Sequence, residues 1–414
     1  MTISKPLDAD TSDPLRLGWM VGSPPPEDKL IRFSDESFFR FPQTRWAFSH
    51  FRELVPTAVV PRGRAPVVEL PRALRDDLDA VTFVPLGETE PMTWAASLAA
   101  NFTDGIVILH RGSIVYERYF GALTPERQHI AYSVTKSFVA TIAAILVHEG
   151  RIDDRALVPH YVPELAGSGF ADATVRNLLD METGIDYTED YNDPASPVWE
   201  FCRAGGFLPR PAGYRGADSF YQFLPSLRKS SAHGERFSYK TVNTDTLGWV
   251  IRQATGQSVA ELMRERFWSV LDVEQDGYFL IDSTGTEFSG AGFNCTLRDL
   301  ARFGEMMRRD GDWNGRQVVP AAVVADIRKG GDRDHFVFAG YQLLQGWSYR
   351  NMWWVSHNPH GAYTARGIHG QAIYVDPAAE MVIARFASHP LAANYNFDPT
   401  SLPAYHAIAC HLLR

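Results

Sequence analysis

The segment from Phe138 to Val147 is apolar at nearly every helical position, and it constrains the fold more than any other feature of the chain. A helix that is apolar all round must be buried, because any exposed face would carry hydrophobic side chains into water. Its length of about ten residues is half of the roughly 20 that a membrane span needs. Ser133 is a favourable helix start and Gly150 a favourable stop. The sequence therefore predicts a helix buried inside a globular protein.

The first turn of this helix carries Ser133 and Lys136, three residues apart. Positions i and i+3 share a helix face, so the Lys136 amine can lie beside the Ser133 hydroxyl. A buried ammonium loses hydration, its pKa falls, and the neutral amine can then accept the serine proton. Unpaired N–H groups at a helix start can also hold an oxyanion. The pattern indicates a nucleophile, its base and part of an oxyanion hole.

The structural alternative is a capping serine followed by an ordinary surface lysine. Ser-x-x-Lys occurs by chance in most chains of this length, so the tetrapeptide alone decides little. The apolar helix that follows favours the catalytic interpretation, because a surface lysine rarely opens a helix this apolar.

Charge and cysteine usage limit the classes of partner. The net charge of −9, with no offsetting Lys/Arg run, argues against nucleic acid and against an anionic membrane. The three cysteines, Cys202, Cys295 and Cys410, are widely spaced and odd in number. They predict neither a disulfide framework nor a metal site, and they favour a reducing compartment. The N-terminus lacks the apolar stretch of a secretory signal, so we expect a cytoplasmic protein.

Local patterns predict a sheet that takes strands from both ends of the chain. One hairpin is expected from Ile106 to Phe120, and a second from Gln371 to Phe386. Helical spacing recurs in several further segments: 45–60, 174–181, 244–255, 298–309 and 401–413. We predict an α/β (α+β) fold in which helices flank an antiparallel sheet.

The chain is long enough for two or three domains, or for one large domain with an insertion. Residues 1–43 are rich in Pro, Asp and Ser and are expected to be irregular. Residues 44–150 and 291–414 are predicted to form one α/β subdomain. Residues 151–290, where Pro- and Gly-rich loops separate helical stretches, are predicted to form an inserted and mainly helical subdomain.

Tyr239 lies in a loop that is predicted to enter a helix. A tyrosine beside a lysine is expected to have a lowered phenol pKa, and it could pass a proton between nucleophile and leaving group. Taken alone, a half-buried packing role is the more frequent use of such a tyrosine.

A second candidate element is the segment from Ala365 to Gln371, which is predicted to open a strand. Its glycines allow a substrate to approach closely, and a strand N–H could complete the oxyanion hole. His369 could be a general base. Because no carboxylate is obviously paired with it, we interpret His369 as structural or substrate-contacting.

Several common enzyme motifs are absent from the sequence. There is no Gly-x-Ser-x-Gly elbow, His-Glu-x-x-His, Cys-x-x-Cys, phosphate loop or dinucleotide fingerprint. We therefore expect no cofactor and no catalytic metal.

These residues, in this order, resemble the serine β-lactamase/DD-peptidase superfamily, with its Ser-x-x-Lys, Tyr-x-Asn and Lys-Thr-Gly motifs. Within it, the chain is most similar to the 6-aminohexanoate-dimer (nylon-oligomer) hydrolases and related carboxylesterases. The resemblance spans most of the chain. It is carried by Arg45-Trp-Ala-Phe, Glu149-Gly-Arg-Ile-Asp, Tyr161-Val-Pro-Glu-Leu-Ala-Gly, Glu189-Asp-Tyr-Asn-Asp-Pro-Ala-Ser, Cys295-Thr-Leu-Arg-Asp-Leu-Ala-Arg and Gly367-Ile-His-Gly-Gln.

The resemblance implies a role for each matching residue. Ser133 matches the acylated serine, Lys136 its base and Tyr239 the proton-relay tyrosine. The backbone N–H groups of Ser133 and Ile368 match the oxyanion hole. Tyr191 matches a tyrosine that contacts the substrate amide.

The chain also departs from the superfamily pattern. The second motif carries Thr241 in place of asparagine, and the third carries Arg366 where lactamases place threonine after a lysine. Both changes weigh against β-lactamase activity, since they remove groups that grip a β-lactam. Cys202 and Gly290 stand where efficient nylon-oligomer hydrolases carry an acidic residue and an asparagine that help to bind substrate.

The sequence thus predicts a serine hydrolase that cleaves small amides or esters through an acyl-enzyme. Its candidate substrate-binding residues are Tyr191, Cys202, Gly290 and His369. The alternatives are a β-lactam or D-amino-acid peptide hydrolase and a non-catalytic binding module of the same fold. The expected partner is a small-molecule substrate, and a homodimer is left open.

Overall fold

The computed structural model describes residues 7–414. Its strands, in chain order, are β1 Thr57–Val60, β2 Thr82–Phe83, β3 Met92–Thr93, β4 Thr103–His110, β5 Ser113–Tyr119, β6 His129–Ile130, β7 Gly277–Leu280, β8 Phe293–Cys295, β9 Asp312–Trp313, β10 Arg316–Gln317, β11 Ser348–Arg350, β12 Trp353–Val355, β13 Tyr363–Arg366, β14 Ala372–Asp376 and β15 Met381–Ala387.

The α-helices, in chain order, are α1 Pro14–Leu17, α2 Thr44–Ala47, α3 Trp94–Ala100, α4 Val134–His148, α5 Val158–Tyr161, α6 Val175–Leu179, α7 Pro197–Ala204, α8 Phe220–Phe223, α9 Thr241–Thr255, α10 Val259–Met263, α11 Leu297–Arg308, α12 Ala321–Lys329, α13 Arg333–Val337 and α14 Asp398–Leu412.

A seven-stranded antiparallel sheet organises the molecule in the order β11-β12-β13-β14-β15-β4-β5. Strands β4 and β5 form the first predicted hairpin, and β14 and β15 form the second. Strand β15 pairs with β4, which joins the two ends of the chain. The predicted α+β fold with an antiparallel sheet flanked by helices is confirmed.

The predicted buried helix is α4, whose residues from Val134 to Leu146 are all buried. Its polar side chains are satisfied inside the core. Ser137 Oγ donates to the Met352 carbonyl oxygen over 2.7 Å, and Trp353 Nε1 donates to Thr141 Oγ1 over 3.2 Å. Because these bonds offset the cost of burying hydroxyl groups, α4 can be buried on all of its faces.

Helix α11 covers one face of the large sheet. Gly304 allows it to approach closely, since a Cβ at this position would lie 2.7 Å from Val382 Cγ1 on β15 and 2.8 Å from Ile373 Cγ2 on β14. Helix α14 packs near α3 and β2 on the other face, around the buried side chains of Trp94, Tyr405 and Ile408. The sheet is therefore covered on both faces.

The helical interpretation of residues 45–60 is wrong for its second half. Helix α2 is short, and residues 57–60 form β1, which pairs with β7 in a four-stranded sheet of order β1-β7-β8-β6. The β-branched residues of this stretch fit a strand once a partner is present, and no local signal shows that partner. The division into residues 1–43, the two-part α/β subdomain and the inserted subdomain stays a prediction.

Candidate active site

Ser133 lies at the start of α4 in an unusual local backbone. The preceding residue, Tyr132, is buried and has a φ of 44°. A bulky residue in this left-handed region is held there by its surroundings and is often found at functional sites. The Ser133 side chain makes no capping hydrogen bond, and the residue is 8% exposed. The hydroxyl is consequently directed toward a cavity rather than used to cap the helix.

Lys136 is fully buried, one turn further along α4. Its Nζ donates to Ser133 Oγ over 3.0 Å, to Thr241 Oγ1 over 3.0 Å and to the Gly290 carbonyl oxygen over 2.6 Å. Burial lowers the pKa of Lys136 to about 8, although the negative charges of Glu189 and Asp245 oppose the shift. About a tenth of the amine is therefore neutral at pH 7, against less than about one part in a thousand for an ordinary lysine, and it lies in contact with the serine hydroxyl.

Asp245 is a site residue that sequence reasoning missed. Burial raises its pKa to about 8, against the pull of nearby Lys136. Its Oδ1 accepts a hydrogen bond from the Gly290 N–H over 3.2 Å, and its Oδ2 has no partner among the described residues. The available signal was its position four residues after Thr241 on α9, which puts both residues on the face that meets Lys136.

Tyr239 lies two residues before the first residue of α9, in the predicted loop, but the expected direction of its pKa shift is wrong. Burial raises the pKa of the phenol well above its usual value, and the negative charge of Glu189 raises it further. The interaction with Ser133 works in the opposite direction and is outweighed. The ring lies 5.1 Å from Lys136 Nζ and stacks on Trp354 with ring centroids 5.6 Å apart. The phenol therefore stays protonated and can act as an acid.

Glu189 is a second residue that sequence reasoning missed, although it lies in the segment that carries the family resemblance. Its carboxylate accepts hydrogen bonds from the Thr241 N–H and, over 3.0 Å, from the Tyr191 hydroxyl. It thereby connects the loop that bears Tyr191 to the start of α9. Glu189, Tyr191 and Tyr239 all line the same cavity as Ser133.

The proposed oxyanion groups lie where two segments approach each other closely. A Cβ on Gly367 would lie 2.8 Å from the Ala131 carbonyl oxygen, so only glycine lets these backbones meet. Gln371 Nε2 donates to the Ile368 carbonyl oxygen over 3.0 Å and steadies the turn. In the described part of the chain, neither the Ser133 N–H nor the Ile368 N–H has a hydrogen-bond acceptor. Both are available to a ligand.

The expected start of a strand at residues 365–371 needs correction. Ala365 and Arg366 end β13, the turn at 368–370 has His369 at a φ of 60°, and β14 begins at Ala372. Two glycines and a left-handed residue make a turn here, because Gly370 also has a positive φ of 101°. The alternation of apolar and polar residues in the sequence did not show where one strand ends and the next begins.

His369 points into the core and is not among the residues that line the cavity. Its Nδ1 contacts the His389 carbonyl oxygen over 2.7 Å, and its ring packs against Phe48 with centroids 5.0 Å apart. Burial lowers its pKa to about 4, so the imidazole is neutral. Its Nε2 has no hydrogen-bond partner among the described residues.

Cys202 and Gly290 are not among the residues that line the cavity. Cys202 is buried, and burial raises the pKa of its thiol. A Cβ on Gly290 would lie 2.4 Å from Thr241 Cγ2 and 2.7 Å from Asp245 Oδ2. A larger residue at position 290 would therefore have to displace the start of α9.

The cavity in front of Ser133 has a volume of about 650 Å³. Its walls come mainly from segments far apart in the chain, including 340–344 and 393–395. Arg366 and Asp398 also line it and form an ion pair, each with a side chain only 6% exposed. Since the guanidinium is already engaged by a carboxylate, it is not free to act as an isolated anion-binding cation.

Among residues 7–414, no helix is both long and apolar enough to cross a bilayer. The single group of His, Cys, Asp and Glu side chains in this range that could hold a metal ion lies outside the cavity and consists of His360, His406 and Cys410.

The fold defines a hydrolase of the serine β-lactamase superfamily. The profile of the beta-lactamase family matches residues 96–400, and the chain belongs to this family.

Over most of its length the chain is similar to the 6-aminohexanoate-dimer hydrolase of Paenarthrobacter ureafaciens, at 36% identity over 356 residues, or 86% of this chain and 88% of that protein. A solved structure from Bacillus anthracis, which is also described as a 6-aminohexanoate-dimer hydrolase, superposes with a TM-score of 0.84 at 32% identity. The superposition covers 94% of this chain and 99% of that one. A family VIII carboxylesterase superposes with a TM-score of 0.56 at 18% identity, covering 76% and 96%. The last comparison shows the shared fold alone. The resemblance recognised from the sequence is confirmed.

Proposed function

We propose that this protein cleaves small amides or esters through an acyl-enzyme on Ser133. The observation that carries the proposal is the 3.0 Å contact between Lys136 Nζ and Ser133 Oγ, made by a fully buried lysine whose pKa is lowered to about 8. A neutral amine in contact with a hydroxyl is the arrangement that activates a serine nucleophile.

In the proposed reaction, Lys136 takes the proton of Ser133 as Oγ attacks the substrate carbonyl carbon. The resulting oxyanion accepts hydrogen bonds from the free N–H groups of Ser133 and Ile368. Tyr239, protonated because its pKa is raised, gives its proton to the leaving group and regains one from Lys136. Water then attacks the acyl-enzyme by the same steps in reverse and releases the acid.

The proposed substrate is a small molecule related to the substrates of the similar hydrolases, namely a linear 6-aminohexanoate amide or a short ester. The cavity of about 650 Å³ fits a ligand of this size. Tyr191 is proposed to contact the scissile group, since this residue lines the cavity and its hydroxyl is oriented by Glu189. Cys202, Gly290 and His369 would act from behind the wall, by shaping the positions of Thr241 and Ile368.

Esters are expected to react faster than amides. An alkoxide can leave with little protonation, whereas an amine must be protonated by Tyr239. The positions Cys202 and Gly290 lack the acidic and amide side chains that the resemblance associates with amide substrates. Cleavage of an amide is therefore a more demanding test of the proposed reaction than cleavage of an ester.

The test is intact-protein mass after incubation with p-nitrophenyl acetate, with hydrolysis of linear 6-aminohexanoate dimer measured on the same preparation. We expect one acetyl group on Ser133 and a loss of at least about 10³-fold in ester turnover in Ser133→Ala. The neighbouring variant Ser137→Ala is the matched control, because Ser137 lies on α4 but contacts the Met352 carbonyl. A fully active Ser133→Ala protein would contradict the proposal.

Nitrocefin turnover and a covalent penicillin adduct test the β-lactam alternative. We expect little of either, because Arg366 is paired with Asp398 and Thr241 contacts Lys136. A protein that is neither acylated nor active on any of these substrates would instead support the non-catalytic binding module.

A further inference from the structure

A cluster of two histidines and a cysteine lies outside the catalytic cavity. His360 is in the loop between β12 and β13, while His406 and Cys410 are one turn apart on α14. One ligand atom from each residue lies within 4.8 Å of the other two. Residues four apart on a helix share a face, which is why His406 and Cys410 can act on one ion.

The orientation of His360 is held by a buried carboxylate. Its Nδ1 lies 2.8 Å from Asp376 Oδ2, and Asp376 is fully buried on β14. When Nδ1–H donates to a carboxylate, the ring carries its lone pair on Nε2. Histidines that bind metals are oriented by a carboxylate in this way. His360 therefore has the tautomer that a metal ligand needs.

The ligand atoms of His406 and Cys410 are already at the separation that zinc requires. His406 Nε2 and Cys410 Sγ are 3.5 Å apart. Zinc in a tetrahedral site lies about 2.0 Å from a histidine nitrogen and about 2.3 Å from a thiolate sulfur, which places the two ligand atoms about 3.5 Å apart. The rings of His360 and His406 have centroids 4.8 Å apart, so small side-chain rotations bring the third ligand into reach.

We propose that His360, His406 and Cys410 bind one zinc ion, with water as the fourth ligand. Two imidazoles and a thiolate form a set that zinc prefers, whereas calcium and magnesium prefer oxygen ligands. On binding, the Cys410 thiol gives its proton to solvent, and the thiolate sulfur bonds to the metal. His406 and Cys410 line a second cavity of about 620 Å³, which gives the ion access from solvent.

The expected consequence is a link between the C-terminal helix and the sheet. A metal bound by the three side chains would join the loop that bears His360 to helix α14. The same helix begins at Asp398, which pairs with Arg366 in the catalytic cavity. The site was not predicted from the sequence, where the cysteine spacing argued against any metal.

The first experiment measures zinc binding to chelator-treated full-length protein by isothermal titration, with Co²⁺ absorption as a probe of thiolate ligation. We expect one zinc per chain, and a loss of at least about tenfold in affinity in each of His360→Ala, His406→Ala and Cys410→Ser. Asp376→Asn should weaken binding by about 10- to 100-fold without removing a ligand. His148→Ala, at the exposed end of α4, is the matched histidine control.

Equal zinc affinity in the wild type and in a triple variant of the three ligands would overturn the proposal, as would the absence of stoichiometric binding to the wild type. Ester turnover at Ser133 verifies the folding of each variant, because none of the three side chains lines the catalytic cavity. This control also separates failure of the metal site from failure of the proposed reaction.

A second readout follows the thiols directly. Zinc should slow iodoacetamide labelling of Cys410 in the wild type at least about tenfold, and chelator should restore it. Cys202 and Cys295 are buried and serve as internal controls. A labelling rate at Cys410 that zinc leaves unchanged would contradict thiolate coordination.

Discussion

The starts of α4 and α9 each carry a buried lysine, and the two lysines differ in whether they contact Ser133. Burial lowers the pKa of Lys136 and of Lys240 to about 8 in each case. Lys136 contacts the Ser133 hydroxyl, whereas Lys240 Nζ donates to the Thr183 carbonyl oxygen over 2.8 Å. A lowered pKa alone does not make a catalytic base. The contact with the nucleophile decides the role.

The two lysines differ because their backbones differ. Lys136 lies in the helix, where a residue three positions after Ser133 shares its face. Lys240 precedes its helix with extended φ and ψ of −147° and 116°. Successive side chains of extended backbone point in opposite directions, so Tyr239 faces the cavity and Lys240 faces away from it.

The largest expected effect tests this comparison directly. Lys136→Met should lower kcat/KM for p-nitrophenyl acetate by about 10³-fold, because it removes the group that deprotonates Ser133. Lys240→Met is the matched control and should change kcat/KM by less than about tenfold. Steady-state kinetics on both variants, with circular dichroism to verify folding, provide the measurement. Comparable losses in the two variants would show that activity depends on a buried lysine at either position and not on the contact with Ser133.

A smaller effect on turnover is expected when Tyr239, the proposed proton donor, is replaced. Tyr239→Phe should lower the turnover of an amide by about 10²-fold, because the amine leaving group then lacks its proton donor. The activated ester p-nitrophenyl acetate should lose less, since its phenolate leaves without protonation. Turnover of both substrates by the same preparation gives the ratio. An equal loss on ester and amide would place Tyr239 in the activation of Ser133 instead.

The smallest expected effect is a shift in pH dependence. Since Lys136 acts as a base only when neutral, kcat/KM should rise with pH through the pKa of about 8 and then become constant. The Asp245 carboxylate raises the pKa of Lys136. Asp245→Asn should therefore move the rising limb to lower pH, by less than about one pH unit. A limb that moves to higher pH would show that Asp245 acts through structure rather than charge.

The contact between Ser133 and Lys136 could be predicted from the sequence because it is local. Ser133 and Lys136 lie within one helical turn, and the apolar segment after them predicts burial without knowledge of any other element. The hairpin formed by β4 and β5 is predictable for the same reason, since its register depends on a short turn.

The tertiary structure alone decided which distant groups surround that pair. Burial and the charges of Glu189 and Asp245, which come from other segments of the chain, set the pKa of Lys136. Burial and the charge of Glu189 raise the pKa of Tyr239, whose direction local sequence misjudged. The approach of Gly367 to Ala131 likewise depends on the packing of β13 against the start of α4.

The cluster of His360, His406 and Cys410 shows the same limit. His406 and Cys410 are four residues apart, but His360 comes from a loop more than 40 residues earlier, and the sequence carries no sign of their meeting. Sequence by itself determined the elements whose interactions lie within a turn of helix or a hairpin. Contacts between distant segments depend on how those elements pack, so burial, charge and side-chain direction at both sites were decided by the tertiary structure.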